Sequence, residues 1–67
     1  MISVQINGEE KAFATEVNLE WVIDSLSLQN KKIAVEINEQ IIPRSEYTKT
    51  LIKSGDSIEI VAAVGGG

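Results

Sequence analysis

The sequence predicts a two-layer α+β domain in which a single helix covers one face of a mixed β-sheet. Three patterns carry that expectation. An alternating apolar run is turned back at Asn7-Gly8, one apolar stripe of helical period follows Asn18, and further alternating runs fill the second half of the chain. At 67 residues there is room for one small core, because folding a chain of this size hides only roughly 60% of its extended surface.

Ile2, Val4 and Ile6 alternate with Ser3 and Gln5, the period of a strand with one buried face. Asn7-Gly8 then suits a two-residue type I′ hairpin, whose central positions both require positive φ. That turn sets Ile6 opposite Glu9, Val4 opposite Lys11 and Ile2 opposite Phe13, which makes Phe13 a core candidate. Lys11 falls on the same face and is tolerated if the second strand is a sheet edge, where its ammonium reaches water.

Asn18 is placed to cap a helix, with Val17 before it positioned to staple onto Val22. Leu19, Val22, Ile23 and Leu26 form one stripe, and Glu20 and Asp24 suit the positive end of the helix. Lys31 and Lys32 lie beyond its end, and Leu28 is expected to leave the last turn and cover the edge of the core. Trp21 and Leu28 fall off the stripe; they either cover neighbouring loops or offer a partner a helix-side contact.

Ile33, Val35 and Ile37 give a third strand, and Ile41-Ile42 before Pro43 a short fourth. Arg44 to Leu51 is mixed and is expected to hold one helical turn. Ser54-Gly55-Asp56 turns the chain into Ile58, Ile60 and the apolar run Val61 to Val64, expected to be the last and most buried strand. The order is ββαββ with a short extra strand and a helical turn, which suits a beta-grasp, the ubiquitin-like arrangement. Residues 1–64 are the expected domain and 65–67 a flexible glycine tail.

The composition excludes several functions. Ten acidic residues against six basic ones give a net charge of -4, which opposes nucleic acid and anionic membrane surfaces. Without cysteine or histidine there is no thiolate, imidazole base, iron–sulfur cluster or usual zinc ligand, so the expectation is a protein that is not itself an enzyme and holds neither metal nor cofactor. Met1 to Glu10 lacks the basic lead and apolar run of a signal peptide, which reads as cytoplasmic.

The sequence ends Val64-Gly65-Gly66-Gly67. Three extended residues reach about 10 Å and, without side chains, thread a narrow active site. A free carboxylate is a poor electrophile. Adenylation with ATP supplies a leaving group, and a persulfide sulfur can then displace it to leave a thiocarboxylate at Gly67. The plain alternative is a frayed end with no chemistry.

The early Asn7-Gly8 turn, the segment Asn38-Glu39-Gln40-Ile41-Ile42-Pro43-Arg44, and Gly55-Asp56-Ser57-Ile58-Glu59-Ile60-Val61 leading to the glycines together resemble the ThiS family of sulfur carriers in thiamin biosynthesis. The resemblance implies a beta-grasp fold, activation of Gly67 by an adenylyltransferase of the ubiquitin-activating type, and sulfur delivery to thiazole synthase. A related reading is the MoaD-like small subunit of molybdopterin synthase, with the same tail but another sulfur acceptor. A reading of another class is an interaction domain with an inert tail.

Val61 and Ala63 should point to the sheet face without a helix, where they suit an apolar docking patch for such partners. Arg44 either holds the corner after Pro43 by bonding backbone carbonyls or meets an acidic partner surface. Glu36, Glu39, Asp56 and Glu59 read as a solvated acidic face able to steer a basic partner.

Overall fold

In the computed structural model, which describes residues 1–62, strands β1 (Ile2–Ile6) and β2 (Glu9–Phe13) form the hairpin that Asn7-Gly8 predicts. Asn7 at φ 52° and Gly8 at φ 83° supply the two left-handed residues. Ile6 pairs with Glu9, Val4 with Lys11 and Ile2 with Phe13, the register read from the sequence.

The main sheet has the order β2-β1-β7-β4-β5, with β4 at Ile33–Ile37, β5 at Gln40–Ile42 and β7 at Ser57–Ala62. Only β1 and β7 run parallel, so the sheet is mixed. β2 lies at an edge, and Lys11 there is exposed, its ammonium 3.8 Å from Glu9. Phe13 is half-buried against the core margin.

Helix α1 (Leu19–Ser25) begins where Asn18 caps it, the side chain accepting a 2.8 Å bond from the Trp21 N–H. Leu19, Val22 and Ile23 are buried against Val4, Val35, Ile58 and their neighbours on one sheet face. Leu26 does not complete the stripe. It is the C-cap and 36% exposed, because the chain reverses at Ser27, which has φ 61°. The Ser27 N–H donates to the Asp24 carbonyl at 3.0 Å and the Leu28 N–H to the Ile23 carbonyl at 3.0 Å, a Schellman-type ending built without glycine. Leu28 is thereby folded onto the core, as expected of it.

Two short strands were not expected. β3 (Val17–Asn18) pairs antiparallel with β6 (Leu51–Ile52), and the Leu19 N–H donates to the Thr50 carbonyl at 2.8 Å. This small ladder ties the helix start to the segment after the 3₁₀ helix Arg44–Lys49, which is the helical turn predicted there. Tyr47 and Ile52 close the end of the core.

β7 is central but not the most buried strand. Ile58 and Ile60 face the core, whereas Glu59, Val61 and Ala62 are exposed, so the strand buries alternate residues only. Val64 and the tail assigned to 65–67 lie outside the described residues. Among the described residues no helix is long and apolar enough to cross a membrane.

Candidate functional site: the last strand and the open face of the sheet

β7 is the last strand of the described residues, and in the sequence it precedes the terminal glycines. On one side β4 pairs with it from Ile37 opposite Ile58 to Ile33 opposite Ala62. On the other side β1 pairs only through Gln5 opposite Ser57 and Ile6 opposite Ile58, because the chain then turns at Asn7.

The side chains of two turn asparagines complete the holding of this strand. Asn7 Oδ1 accepts from the Ile60 N–H at 2.8 Å and Asn7 Nδ2 donates to the Ile60 carbonyl at 3.1 Å. At the start of the strand Asn38 Oδ1 accepts from the Ser57 N–H at 3.0 Å, and Nδ2 donates to Asp56 Oδ1 at 3.1 Å. Asp56 Oδ2 in turn accepts from the Lys53 N–H at 2.8 Å, which closes the turn entering β7. The sequence marks Asn7 as a turn residue, but nothing local signals its bonds to a residue 53 positions away.

The sheet face turned away from α1 carries alternate residues of the same strands. Val61 stands opposite Ala34, Glu59 opposite Glu36, and Glu36 also opposite Ile41. Val61 is 60% exposed and Ile41 74%, so an apolar patch flanks the two glutamates. Carboxylates set directly across a ladder repel, and among the described residues the only ion pair is that of Lys11 with Glu9, so neither glutamate is paired with a lysine or arginine there. Val61 thus lies where the sequence places it. Ile41 and Ala34 are members of that patch which the linear pattern did not single out, since only the β4–β5 and β4–β7 registers bring them beside it. Ala63, Gly65, Gly66 and Gly67 lie outside the described residues.

Arg44 is on the other side of the molecule. Its Nη2 donates to the Lys31 carbonyl at 3.1 Å, and it borders a recess with Asp24, Leu28 and Tyr47. The backbone-bonding use expected of Arg44 is therefore realised, on the loop after α1. Trp21, 48% exposed, meets Phe13 edge-on with ring centroids 5.5 Å apart, which is a packing contact between helix and hairpin. Among the described residues no cluster of acidic side chains is arranged to hold a metal ion.

Comparison with known proteins places these features in a family context. The ThiS family model matches residues 4–67, a span that runs through all three glycines. A thiazole synthase from Paramagnetospirillum magneticum is 42% identical over 92% of this chain, which spans only 19% of that protein's length. The sulfur carrier protein ThiS of Bacillus subtilis is 34% identical over 96% of this chain and 98% of its own. Among solved structures, the thiamine biosynthesis protein ThiS from Geobacter metallireducens superimposes with a TM-score of 0.84 at 25% identity, covering 98% of this chain and 100% of that one.

Proposed function

The chain belongs to the ThiS family, and from that premise we propose that it is a sulfur carrier of thiamin biosynthesis whose working group is the Gly67 carboxylate. The observation that carries this reading is the family match extending from Val4 to Gly67 over one beta-grasp fold, so that sheet and glycines belong to one recognised unit. The protein is a co-substrate of partner enzymes and binds no cofactor; ATP is consumed on the activating partner.

A carboxylate oxygen of Gly67 attacks the α-phosphorus of ATP and pyrophosphate leaves, giving an acyl adenylate. The terminal sulfur of a donor persulfide attacks the acyl carbon and AMP leaves. A thiol then attacks the donor-side sulfur of the resulting acyl disulfide, forming a disulfide with the donor and releasing the thiocarboxylate. Gly65, Gly66 and Gly67 present no side chains to the channel that admits them, and they accept backbone angles closed to other residues.

Docking of the adenylyltransferase of the ubiquitin-activating type falls to the open face, with Val61, joined by Ala63, as the apolar centre. Glu36 and Glu59 beside it favour basic partner groups, which would relieve their mutual repulsion. Arg44 commits one donor to Lys31 and keeps others for a separate acidic contact. The thiazole synthase relative contains a stretch similar to nearly this whole chain, which favours thiazole synthase over molybdopterin synthase as sulfur acceptor.

Intact-mass spectrometry of the untagged protein from its native cell, with fragmentation, is the test. Oxygen replaced by sulfur at Gly67 is the expected outcome, and fragmentation separates it from oxidation of Met1, which has nearly the same mass. A Gly67 carboxylate unchanged after incubation with the activating enzyme, ATP and a persulfide donor would overturn the reading in favour of an interaction domain.

A further inference from the structure

The Asn7 side chain does more than a turn requires. A type I′ turn needs only that its first central residue accept positive φ, and the backbone of Asn7, at 52°, meets that need without its carboxamide. The carboxamide instead continues the β1–β7 ladder where β1 has already turned away. Its Oδ1 takes the Ile60 N–H and its Nδ2 the Ile60 carbonyl, while the Asn7 backbone N–H donates to the Ile58 carbonyl at 2.8 Å. A primary amide carries one acceptor and a donor in the arrangement of a peptide group, so it substitutes for the missing strand residue on that edge. Neither Gly nor Asp supplies both halves.

We propose that Asn7 is a positioning residue for the reaction at Gly67: by bonding both the N–H and the carbonyl of Ile60, on the edge of β7 opposite β4 and five positions before Gly65, it holds the end of the strand from which the chain is delivered to the activating enzyme. This rests on the sulfur-carrier reading above. With β4 alone on one side, the last part of β7 would be held as an edge, free to twist on its partner. Reactions that depend on placing one carboxylate beside an ATP phosphorus are sensitive to displacements of about 1 Å. Asn38 is the internal comparison. Its Oδ1 holds the Ser57 N–H and its backbone N–H the Ser57 carbonyl at the far end of the same strand, where a loss of order is separated from the tail by the rest of β7.

The experiment measures ATP-dependent pyrophosphate release by the cognate activating enzyme, with the unsubstituted protein, Asn7→Gly, Asn7→Asp and Asn38→Gly as substrates. Each variant is first shown to be folded at the assay temperature by circular dichroism. Both glycine substitutions keep positive φ accessible, so both turns survive. Asn7→Gly is expected to lower kcat by about fivefold or more, with KM for the carrier within about twofold, because the docking face is untouched and only placement suffers. Asn7→Asp, which retains the bond from the Ile60 N–H, is expected to fall in between, and Asn38→Gly to keep kcat. An unchanged kcat in Asn7→Gly, or an equal fall in Asn38→Gly, would overturn the positioning role and leave Asn7 a structural residue. Absence of pyrophosphate release with the unsubstituted protein would overturn the sulfur-carrier reading itself, and the positioning role with it.

Discussion

The two faces of the sheet are built from alternate residues of the same strands, yet they follow different rules. On the helix side Val4, Val35 and Ile58 are almost wholly buried against Leu19, Val22 and Ile23, an arrangement that hydrophobic burial alone selects. On the other side Val61 and Ile41 stay exposed, and Glu36 is set across from Glu59, choices that burial and electrostatics both disfavour in an isolated domain. One face is accounted for by folding. The other is the face proposed above to receive a partner.

The contrast can be broken most directly at its folded half. Ile58→Ala should cost about 3 kcal/mol, since the side chain is fully buried and the centre of the sheet cannot collapse around the void. Denaturant titration will read this as a lower midpoint at similar slope. A loss below about 1 kcal/mol would show that the central strand is not the keystone of the core.

Val61→Asp sharpens the same contrast from the open half. Its cost in stability should stay within about 1 kcal/mol, the span of strand preferences at an exposed site. Binding to the activating enzyme, followed by calorimetry, should weaken by about tenfold or more, as for the loss of a central apolar contact. Normal binding and activation of this variant would remove the open face from the docking site.

The smallest effect separates folding from docking by sign. Glu36→Gln relieves the repulsion across the ladder and should raise stability by a few tenths of a kcal/mol, up to about 0.5. In the same variant association with a basic partner surface should slow, most visibly at low salt. A fall in stability with association unchanged would mean that the glutamate serves the fold and not the partner.

Much of the molecule could be read from short stretches. The β1–β2 register follows from Asn7-Gly8 and two residues of positive φ, the helix start from Asn18, and the exposure of Val61 from counting alternate positions after Ile58 and Ile60. The exposure of Val61 and the backbone bond of Arg44 were legible, whereas the places of Ile41 and Ala34 on the open face and the bonds of Asn7 to Ile60 were not. Asn38-Glu39 forms a second hairpin turn, with φ of 52° and 70°, but a glutamate at a left-handed position gives no local signal. The early end of α1 is hidden in the same way, because Ser27 stands where glycine usually marks a reversal.

Periodicity, turn chemistry and capping are local, acting between residues a few positions apart, and so the strands, the helix start and the open face are written into the chain in order. Pairings over long separations are not. The β3–β6 ladder, the burial of Tyr47 and Ile52 and the two hydrogen bonds between the Asn7 side chain and Ile60 join segments tens of residues apart, and none has a period or a motif. They form because backbone groups brought together at the end of a core must find partners once water is excluded. Which partners those are is decided by the tertiary arrangement of sheet and helix, not by the local sequence.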